Sequence, residues 1–267
     1  MTKSNKENKR QGLTVLTPKE RFNFECHQGL DCFTRCCRNI TIFLTPYDII
    51  RMKNALKITS EDFLARYTDI VVGDAGLPVA VLRMGDDDKK SCPFVAPEGC
   101  KIYQDRPWAC RIYPLKPEST ELTEKSGKEY YSVMDVPFCL GLAEDRAMTV
   151  ERWKVEQGIP LYLEMENPFK NITMNKSLRN NKIINKKIQE MYYMACYDLD
   201  RFRRFVFESK FLATFEMDRK TVEKIRQDDV ELYKFAMTWL EYGLLGQHVL
   251  KVKPAVMEAK KQELKNK

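Results

Sequence analysis

The sequence predicts a mainly α protein of the α+β class, with a cysteine-rich, loop-rich front that carries a few short strands and packs on long C-terminal helices. Apolar residues recur at helical spacing through 176–215 and 222–245, as they do on amphipathic helices. In the first half, short apolar runs alternate with glycine and proline turns instead. Eight of the nine cysteines lie between residues 26 and 139, so reactive side chains are concentrated in the front half.

Changes in composition divide the chain into four regions. We expect a disordered basic tail at 1–21, a cysteine-cluster region at 22–148, a helical region at 149–250 that packs on it, and a second basic tail at 251–267. A chain of 267 residues can bury a sizeable core. It therefore needs neither metal nor disulfides merely to fold.

Local signals predict the elements of the front half. Thr45, Pro46 and Asp48 are typical of the N-cap, first position and first turn of a helix. Thr59 or Ser60 begins a second, short helix. Strands are predicted where β-branched and aromatic residues cluster, at Val79–Met84 and Tyr130–Val136.

The elements of the back half follow from caps and prolines. Thr149 caps a helix over Val150–Gly158, and Pro160 and Pro168 are expected to break the segment after it. The two apolar patterns beyond residue 176 then predict two or three long helices.

The charge distribution limits the classes of partner. The chain has a net charge of +7, but 1–21 and 251–267 each carry +4, which leaves −1 on 22–250. A folded body that binds nucleic acid would carry the positive charge itself, so no nucleic-acid partner is expected. No apolar run is long enough to cross a membrane, and the N-terminus lacks the apolar core of a secretory signal. We therefore expect a cytoplasmic protein with no membrane partner.

The clustered cysteines form two blocks with short spacings. The first reads Cys-x5-Cys-x3-Cys-Cys, and the second combines Cys-Pro-Phe, Gly-Cys and Cys-Arg, followed by one trailing cysteine. Thiolates spaced in this way, with no export signal, are typical of a site for a soft metal. The odd number of cysteines disfavours a disulfide framework. The predicted metal ligands are Cys26, Cys32, Cys36, Cys37, Cys92, Cys100, Cys110 and Cys139.

The adjacent pair Cys36-Cys37 constrains how these ligands can bind. In an extended segment, neighbouring side chains point to opposite sides, so both sulfurs cannot easily face one small ion. Either one binds while the other packs, or each serves a different centre. Eight thiolates allow two four-ligand centres or one centre with spare thiols, and the spacing decides neither.

An iron–sulfur cluster, most simply 4Fe-4S, is favoured over zinc as the cofactor. Structural zinc prefers paired Cys-x2–4-Cys knuckles or Cys/His mixtures, whereas this chain has no Cys-x-x-Cys and only two histidines. Aromatic neighbours such as Phe94 and Trp108 would keep water from the sulfides. The predicted cofactor-binding residues are Arg106 and Arg111, which, with Arg35 and Arg38, could offset the negative charge of a cluster and donate hydrogen bonds to sulfur.

The remaining reactive residues are given structural roles. His27 and His248 are predicted at the surface, and Cys196 in the core of an aromatic-rich helix. A dense charge group is interpreted as ion pairs along one helix face, with a substrate or acid–base site beside the metal as the alternative. Its members are Asp198, Asp200, Arg201, Arg203 and Arg204.

Several motifs occur together between residues 24 and 142. They are Cys36-Cys37 with the following Thr45-Pro46-Tyr47-Asp48-Ile49, Cys92-Pro93-Phe94, the run from Gly99 to Pro114, and Cys139-Leu140-Gly141. This combination resembles the YkgJ-type cysteine-cluster proteins, a family of zinc- or iron-chelating domains. The sequence departs from the family's Cys-x-x-Cys-x-x-Cys-Cys, because five and three residues separate its first three cysteines.

The resemblance implies metal binding and leaves the reaction open. A related domain occurs in flagellin lysine methylases, which makes a protein-modifying enzyme conceivable, but the chain shows no Gly-x-Gly-x-x-Gly and no P-loop. The leading interpretation is a cytosolic iron–sulfur metalloprotein with a redox or protein-modifying role. The alternatives are a zinc-stabilised interaction module without catalysis and a metal-handling protein. The sequence identifies no particular protein partner or substrate.

Overall fold

The computed structural model describes residues 9–10, 13–73, 76–118, 127–176, 178 and 184–265. Helices dominate these residues and the strands are short, which confirms the predicted mainly α class with a little sheet. Nowhere in these ranges is there a helix with both the length and the apolar character needed to span a membrane.

The chain forms two compact units, and each is built from two separate segments. The first comprises Met1–Ile40 and Met84–Leu163, and the second comprises Thr41–Arg83 and Glu164–Lys267. All eight clustered cysteines belong to the first unit, whereas Cys196 belongs to the second.

The first unit contains an antiparallel sheet with the strand order β1-β2-β9-β8 and two further antiparallel strand pairs, β3–β10 and β6–β7. Short helices connect these strands. The strands are β1 (Lys9–Arg10), β2 (Leu13–Leu16), β3 (Arg21–Asn23), β6 (Val95–Ala96), β7 (Gly99–Cys100), β8 (Leu115–Pro117), β9 (Tyr131–Val133) and β10 (Ala147–Thr149), and the helices are α3 (Trp108–Ile112), α4 (Val150–Glu156) and the first part of α5 (Ile159–Thr173).

A single aromatic-rich core holds the first unit together. Phe24 packs edge-on against Trp153 with ring centroids 5.4 Å apart, and the indole N–H of Trp153 donates to the carbonyl of Ile112 at 3.2 Å. Edge-to-face packing stabilises a pair of aromatic rings beyond their burial, and the buried indole N–H keeps a hydrogen-bond acceptor. Leu16 and Phe22 are also buried in this core.

The predicted disorder of the N-terminal tail is not found in its second half. Residues 13–16 form β2, which pairs with β9, and residue 21 begins β3. Burial of the apolar side chains of Leu16 and Phe22 stabilises these two strands. Residues 1–8 and 11–12 lie outside the described part of the chain.

The second unit is helical apart from one antiparallel hairpin of β4 and β5. The sequence placed its first helix correctly: the Thr45 hydroxyl accepts from Asp48 N at 3.1 Å, and the Asp48 carboxylate accepts from Thr45 N at 2.8 Å. The elements are α1 (Pro46–Leu56), α2 (Ser60–Tyr67), β4 (Thr68–Val72), β5 (Pro78–Leu82), the end of α5, α6 (Lys186–Cys196), α7 (Leu199–Glu208), α8 (Phe211–Thr214), α9 (Arg219–Gln227), α10 (Asp229–Leu245) and α11 (Pro254–Lys265).

The two prolines expected to break the chain lie inside α5, so that prediction is wrong. Pro160 occupies the second helical position, where a missing N–H costs no helical hydrogen bond. Pro168 removes one bond from the helix interior. Buried Met165 and Ile172 on either side of Pro168 anchor the helix by packing.

The long helical patterns of the back half are divided by aspartate caps. Asp198 accepts from Arg201 N at 3.3 Å and begins α7, and Asp228 accepts from Val230 N at 2.7 Å and begins α10. Hydrophobic periodicity continues across both breaks, so it predicted fewer and longer helices than the structure contains.

A buried ion network joins four helices of the second unit. The Lys53 ammonium of α1 lies 2.8 Å from the Asp229 carboxylate and 3.7 Å from that of Asp200. Ser60, at the start of α2, donates its backbone N–H to Asp200 at 2.6 Å and its hydroxyl to Asp198 at 2.8 Å. Burial opposes ionisation of Asp200, but the Ser60 hydrogen bond and Lys53 outweigh it and lower the pKa of that carboxyl. The charge group of α7 therefore supports the fold of this unit.

Replacing Lys53 with methionine tests this network. Lys53→Met removes the cation that Asp200 and Asp229 share and leaves Arg203 as the remaining partner of Asp229, so we expect unfolding to become easier by about 1–3 kcal/mol, measured by urea denaturation. Lys220→Met removes an exposed lysine of the same unit and should change stability by less than about 0.5 kcal/mol. Equal effects of the two substitutions would contradict the structural role of the network.

Candidate metal centre

The eight clustered cysteines come from four separate parts of the first unit, and none of the nine cysteines, all of which the structure describes, forms a disulfide. Cys26 is exposed, the other seven clustered cysteines are partly buried, and Cys196 is buried. The Cys196 thiol contacts Tyr192, and burial raises its pKa well above the ordinary value. The structure thus separates Cys196 from the clustered thiols, as the sequence predicted.

A close backbone approach brings the first cysteine beside the last. Glu25 N donates to the Gly141 carbonyl at 3.0 Å, next to Cys26 and two residues beyond Cys139. A Cβ atom on Gly141 would lie 2.3 Å from the Glu25 carbonyl oxygen. Only glycine fits this position, because no neighbouring side chain can move aside to relieve a clash with backbone.

The same loop reaches Cys32. The backbone N–H of Leu140 donates to the Cys32 sulfur at 3.3 Å. This contact places Cys32 beside Cys139, although 107 residues separate them in the sequence.

The second block is joined to the first through Cys37. Cys92 N donates to the Cys37 carbonyl at 2.8 Å, and Val95 N donates to the Cys92 carbonyl at 3.1 Å. Val95 is paired with Cys100 across the β6–β7 hairpin. Gly99 has φ +125°, a conformation that L side chains rarely adopt, so glycine is required at the turn that presents Cys100.

Electrostatic interactions between thiols divide the eight clustered cysteines into two groups. Cys26 interacts with Cys36, Cys32 and Cys139, whereas Cys37 interacts with Cys92 and Cys110, and Cys92 interacts with Cys100. We name these groups by their members. The first thiol set is Cys26, Cys32, Cys36 and Cys139, and the second thiol set is Cys37, Cys92, Cys100 and Cys110.

Cys36 and Cys37 lie in a 3₁₀ turn, Arg35–Cys37, and not in an extended segment. The premise that their side chains oppose each other is therefore wrong, since successive residues of such a turn are rotated by about 120°. The Cys37 thiol donates a hydrogen bond to the Cys36 sulfur, which lowers the pKa of Cys36 to about 7 and raises that of Cys37. The pair is the direct contact between the two sets.

Burial is the largest influence on the pKa of three further clustered thiols, Cys26, Cys92 and Cys100. It raises the pKa of Cys26 to about 11, with further contributions from Cys36, Cys32 and Cys139 and an opposing one from Arg106. Burial likewise raises the pKa of Cys92 and of Cys100. Because metals bind thiolates, loading either set would release protons.

The two arginines predicted to bind a cofactor have different surroundings. Arg106 is 9% exposed and interacts with Cys26, Cys100 and Cys110, while its guanidinium also donates to the Tyr103 carbonyl at 2.6 Å. Burial lowers its pKa. Arg111 donates to the backbone carbonyls of Arg106, Gln157 and Gln104, so its guanidinium braces the loop that carries Arg106.

Arg38 has a donor that the protein does not satisfy. One terminal nitrogen donates to the Thr34 carbonyl at 2.8 Å, but Nε is buried and has no hydrogen-bond partner among the described residues. Arg38 also interacts electrostatically with Cys36. Buried polar groups are ordinarily hydrogen-bonded, so this N–H fits an acceptor such as a thiolate or an inorganic sulfide.

The two histidines have other surroundings. The Nδ1 atom of His27 accepts from Gly29 N at 3.1 Å, and its Nε2 lies 3.7 Å from the Glu144 carboxylate. His248 is exposed in the second unit. Both lie at or near the surface, where the sequence predicted them.

The donor set fits a soft metal in type and number, since each thiol set supplies four sulfurs. In the part of the chain that the structure describes, no group of three or more His, Cys, Asp and Glu side chains is arranged so that it could hold a metal ion. The sulfurs are thus neighbouring free thiols, and a bound metal would need to draw them closer.

Loop-borne thiols that converge in this way define the class of metal-chelating cysteine-cluster domains. Residues 25–136 match the CxxCxxCC family model, described as "Putative zinc- or iron-chelating domain". The match confirms the resemblance found in the sequence. It ends before Cys139, whose place in the first thiol set is a finding of the structure alone. No curated protein and no solved structure matches the chain.

Sequence reasoning missed the contacts that organise the site. The Tyr113 hydroxyl is buried with no hydrogen-bond partner among the described residues, and burial followed by the neighbouring Cys139 thiol raises the pKa of the phenol. Leu140 acts through its backbone N–H, and Gly141 through its missing side chain. The motif Cys-x-Gly indicated in the sequence that this loop was important. It could not predict which segment of backbone the glycine approaches.

Alanine at Gly141 tests the backbone approach. Gly141→Ala should push the 139–141 loop away from Glu25, lower stability by about 1–3 kcal/mol and reduce metal retention, measured by urea denaturation and elemental analysis. Gly243→Ala on α10 is the matched control, because its Cβ would make only ordinary contacts with Met191. Full metal retention in Gly141→Ala would show that the close approach does not organise the thiols.

Proposed function

We propose that this protein is a cytosolic metalloprotein that binds an iron–sulfur cluster through its clustered cysteines and has a redox or protein-modifying role. One observation carries the proposal: cysteines from four separated chain segments lie within the first unit, and several of their thiols interact electrostatically. Free thiols serving only as small apolar side chains would have no reason to converge. The family description supports zinc or iron as the metal.

Two features favour iron–sulfur over zinc. The chain lacks Cys-x-x-Cys knuckles, and aromatic residues lie near thiols, with Phe94 buried two residues after Cys92 and Tyr113 beside Cys139. Apolar and aromatic neighbours exclude water from sulfides, and N–H donors to sulfur tune the cluster potential. Arg38 and Arg106 supply positive charge beside a set of thiolates. An iron–sulfur cluster bound here would supply one-electron chemistry.

The second candidate is a zinc-stabilised interaction module without catalysis. The family description names zinc beside iron, and each thiol set has the four sulfurs of a structural zinc site. Partial exposure of seven clustered thiols, and the greater exposure of Cys26, also suits a protein that receives metal and passes it on. The interaction module differs from the iron–sulfur proposal in the metal that it binds. The metal-handling protein differs in holding its metal more weakly.

Anaerobic purification of the full chain separates the candidates. A brown protein with iron and acid-labile sulfide in equal amounts supports the iron–sulfur proposal, whereas a colourless protein with bound zinc contradicts it and supports the interaction module. Rapid loss of metal to a weak chelator, with helical content unchanged by circular dichroism, supports metal handling instead.

Serine substitutions test which thiols bind. Cys100→Ser removes a sulfur of the second thiol set and should lower the metal content of the purified chain, measured by elemental analysis. Cys196→Ser alters a buried thiol of the other unit and should leave that content unchanged. Loss of metal in Cys196→Ser, with Cys100→Ser unaffected, would refute the assignment.

Arg38→Lys tests the unsatisfied N–H. Lysine keeps the positive charge but lacks the Nε donor, so we expect metal affinity to fall by about 10- to 100-fold, as for other groups that hydrogen-bond metal ligands. Competition with a chelator of known affinity measures the change. Arg35→Lys is the control: Arg35 lies in the same turn but is exposed and stacks on Phe138 at 4.9 Å. Equal metal affinities of the two variants would show that the Arg38 Nε donor does not contribute to metal binding.

A further inference from the structure

We propose that the outer edge of β4 is a self-association surface, at which two copies of this chain pair their β4 strands antiparallel about a two-fold axis. The surface belongs to the second unit, which contains none of the eight clustered cysteines. The proposal therefore stands apart from the proposed metal binding. Three observations support it: free backbone groups on β4, exposed apolar side chains beside them, and charges that are already paired within the chain.

β4 is an outer strand of its small sheet. On one side, β5 pairs with β4. On its other side, β5 bonds to the segment 42–44: Leu44 N donates to the Ala80 carbonyl at 2.9 Å. Leu82 N likewise donates to the Ile42 carbonyl at 2.9 Å. β5 is therefore central, and the described part of the chain places no strand against the opposite side of β4.

The hydrogen bonds of the hairpin show which backbone groups of β4 point outward. Arg83 N donates to the Tyr67 carbonyl at 2.8 Å, and Gly73 N donates to the Leu77 carbonyl at 2.9 Å. In an antiparallel ladder, hydrogen-bonded pairs occur at every second residue. The odd-numbered residues of β4 therefore bond to β5, whereas the N–H and C=O groups of its even-numbered residues point away from β5.

Two residues of this outer edge keep free backbone groups. Thr68 is already satisfied, since its N–H donates to the Leu64 carbonyl and its carbonyl accepts from Arg83. The outward N–H and C=O groups of Ile70 and Val72 have no hydrogen-bond partner among the residues that the structure describes. Unpaired backbone groups along a strand edge are a template for pairing with a further strand.

The side chains at this edge are apolar and exposed. Ile70, Val71 and Val72 are 44%, 42% and 69% exposed. Proteins ordinarily protect an exposed strand edge with lysine, proline or a bulge, and these three consecutive positions have no such protection. Phe43, which lies opposite Val81 across the sheet, is 59% exposed as well. Covering this apolar edge with a second strand would remove it from water, which is favourable.

A two-fold register centred on Val71 matches the free groups. Ile70 of one copy then lies opposite Val72 of the other copy on both sides of the axis, and the two Val71 residues lie opposite each other. Each Ile70–Val72 pair exchanges two hydrogen bonds, so about four new ones form. Cross-strand pairs of β-branched residues stabilise the pairing further. A register centred on Ile70 would instead use the backbone groups of Thr68, which are already bonded.

The charges beside the edge favour a second copy over a strongly acidic or basic partner. Asp69, the single charged residue of β4, lies 2.8 Å from Arg83. Asp62 of α2 lies 3.8 Å from Arg66. Each carboxylate thus has a cation of its own chain beside it. In the two-fold register, Asp69 lies opposite Gly73 of the second copy, so two carboxylates do not face each other across the strands.

Sedimentation of the full chain over a concentration series tests the proposal. Reductant and a chelator are present, because they exclude dimers joined by disulfides or by metal. We expect a monomer at about 1 μM and a reversible dimer with a Kd on the order of 100 μM, since a short paired edge buries less area than a standard interface. A chain that stays monomeric up to about 1 mM contradicts the proposal.

Two variants locate the dimer contact. Val71→Lys places two like charges opposite each other at the axis and should weaken dimerisation by at least about 10-fold, with helical content unchanged by circular dichroism. Val249→Lys is the matched control, because Val249 is 44% exposed in the same unit but lies outside the hairpin. It should leave the Kd unchanged. If Val71→Lys dimerises like the unaltered chain, or if both variants lose the dimer, the contact is not at β4.

Hydrogen exchange, followed by NMR, gives a readout at the backbone itself. At low concentration the amides of Ile70 and Val72 should exchange faster than those of Asp69 and Val71, because only the latter two are bonded to β5. At high concentration the amides of Ile70 and Val72 should become protected. Exchange of these two amides that does not depend on concentration would refute the pairing.

Discussion

The approach of Gly141 to the Glu25 carbonyl is the constraint on which the candidate site depends. A contact that leaves no room for a Cβ atom fixes the loop 139–141 against the segment that carries Cys26. The N–H of Leu140 then reaches the Cys32 sulfur. Thiols far apart in sequence become neighbours because two stretches of backbone touch, and the aromatic core around Phe24 and Trp153 holds one of those stretches in place.

This arrangement also sets the chemistry of the thiols. Burial disfavours the thiolate of Cys26, Cys92 and Cys100 while no metal is bound. A bound cation reverses that preference, so metal binding and proton release are coupled. Arg106 acts in the same direction as the metal, because its charge favours the thiolates of Cys26 and Cys100. The site is therefore matched to a positively charged occupant, in agreement with the description of the family model that residues 25–136 match.

The helices that the sequence predicted well are those whose signals are local. Thr45, Thr59 and Thr149 cap α1, α2 and α4 as predicted, since a cap depends on side chains only a few residues apart. Local rules failed where packing outweighed them. Pro168 stays within α5, and strand pairing orders residues that composition alone marked as a disordered tail. Asp198 caps α7 and binds Ser60, although its neighbours suggested surface ion pairs.

The sequence by itself determined the donor type and the mainly α class and indicated a resemblance to cysteine-cluster proteins, because cysteine spacing, helical periodicity and caps are properties of neighbouring residues. Only the tertiary structure decided that each unit combines two separate chain segments, with 41–83 grouped with 164–267. It also decided which distant cysteines become neighbours, since it brings Cys32 beside the 139–141 loop and Cys37 beside Cys92. The physical reason is that backbone hydrogen bonds and core packing between distant segments choose the neighbours of each sulfur, and no local pattern encodes that choice.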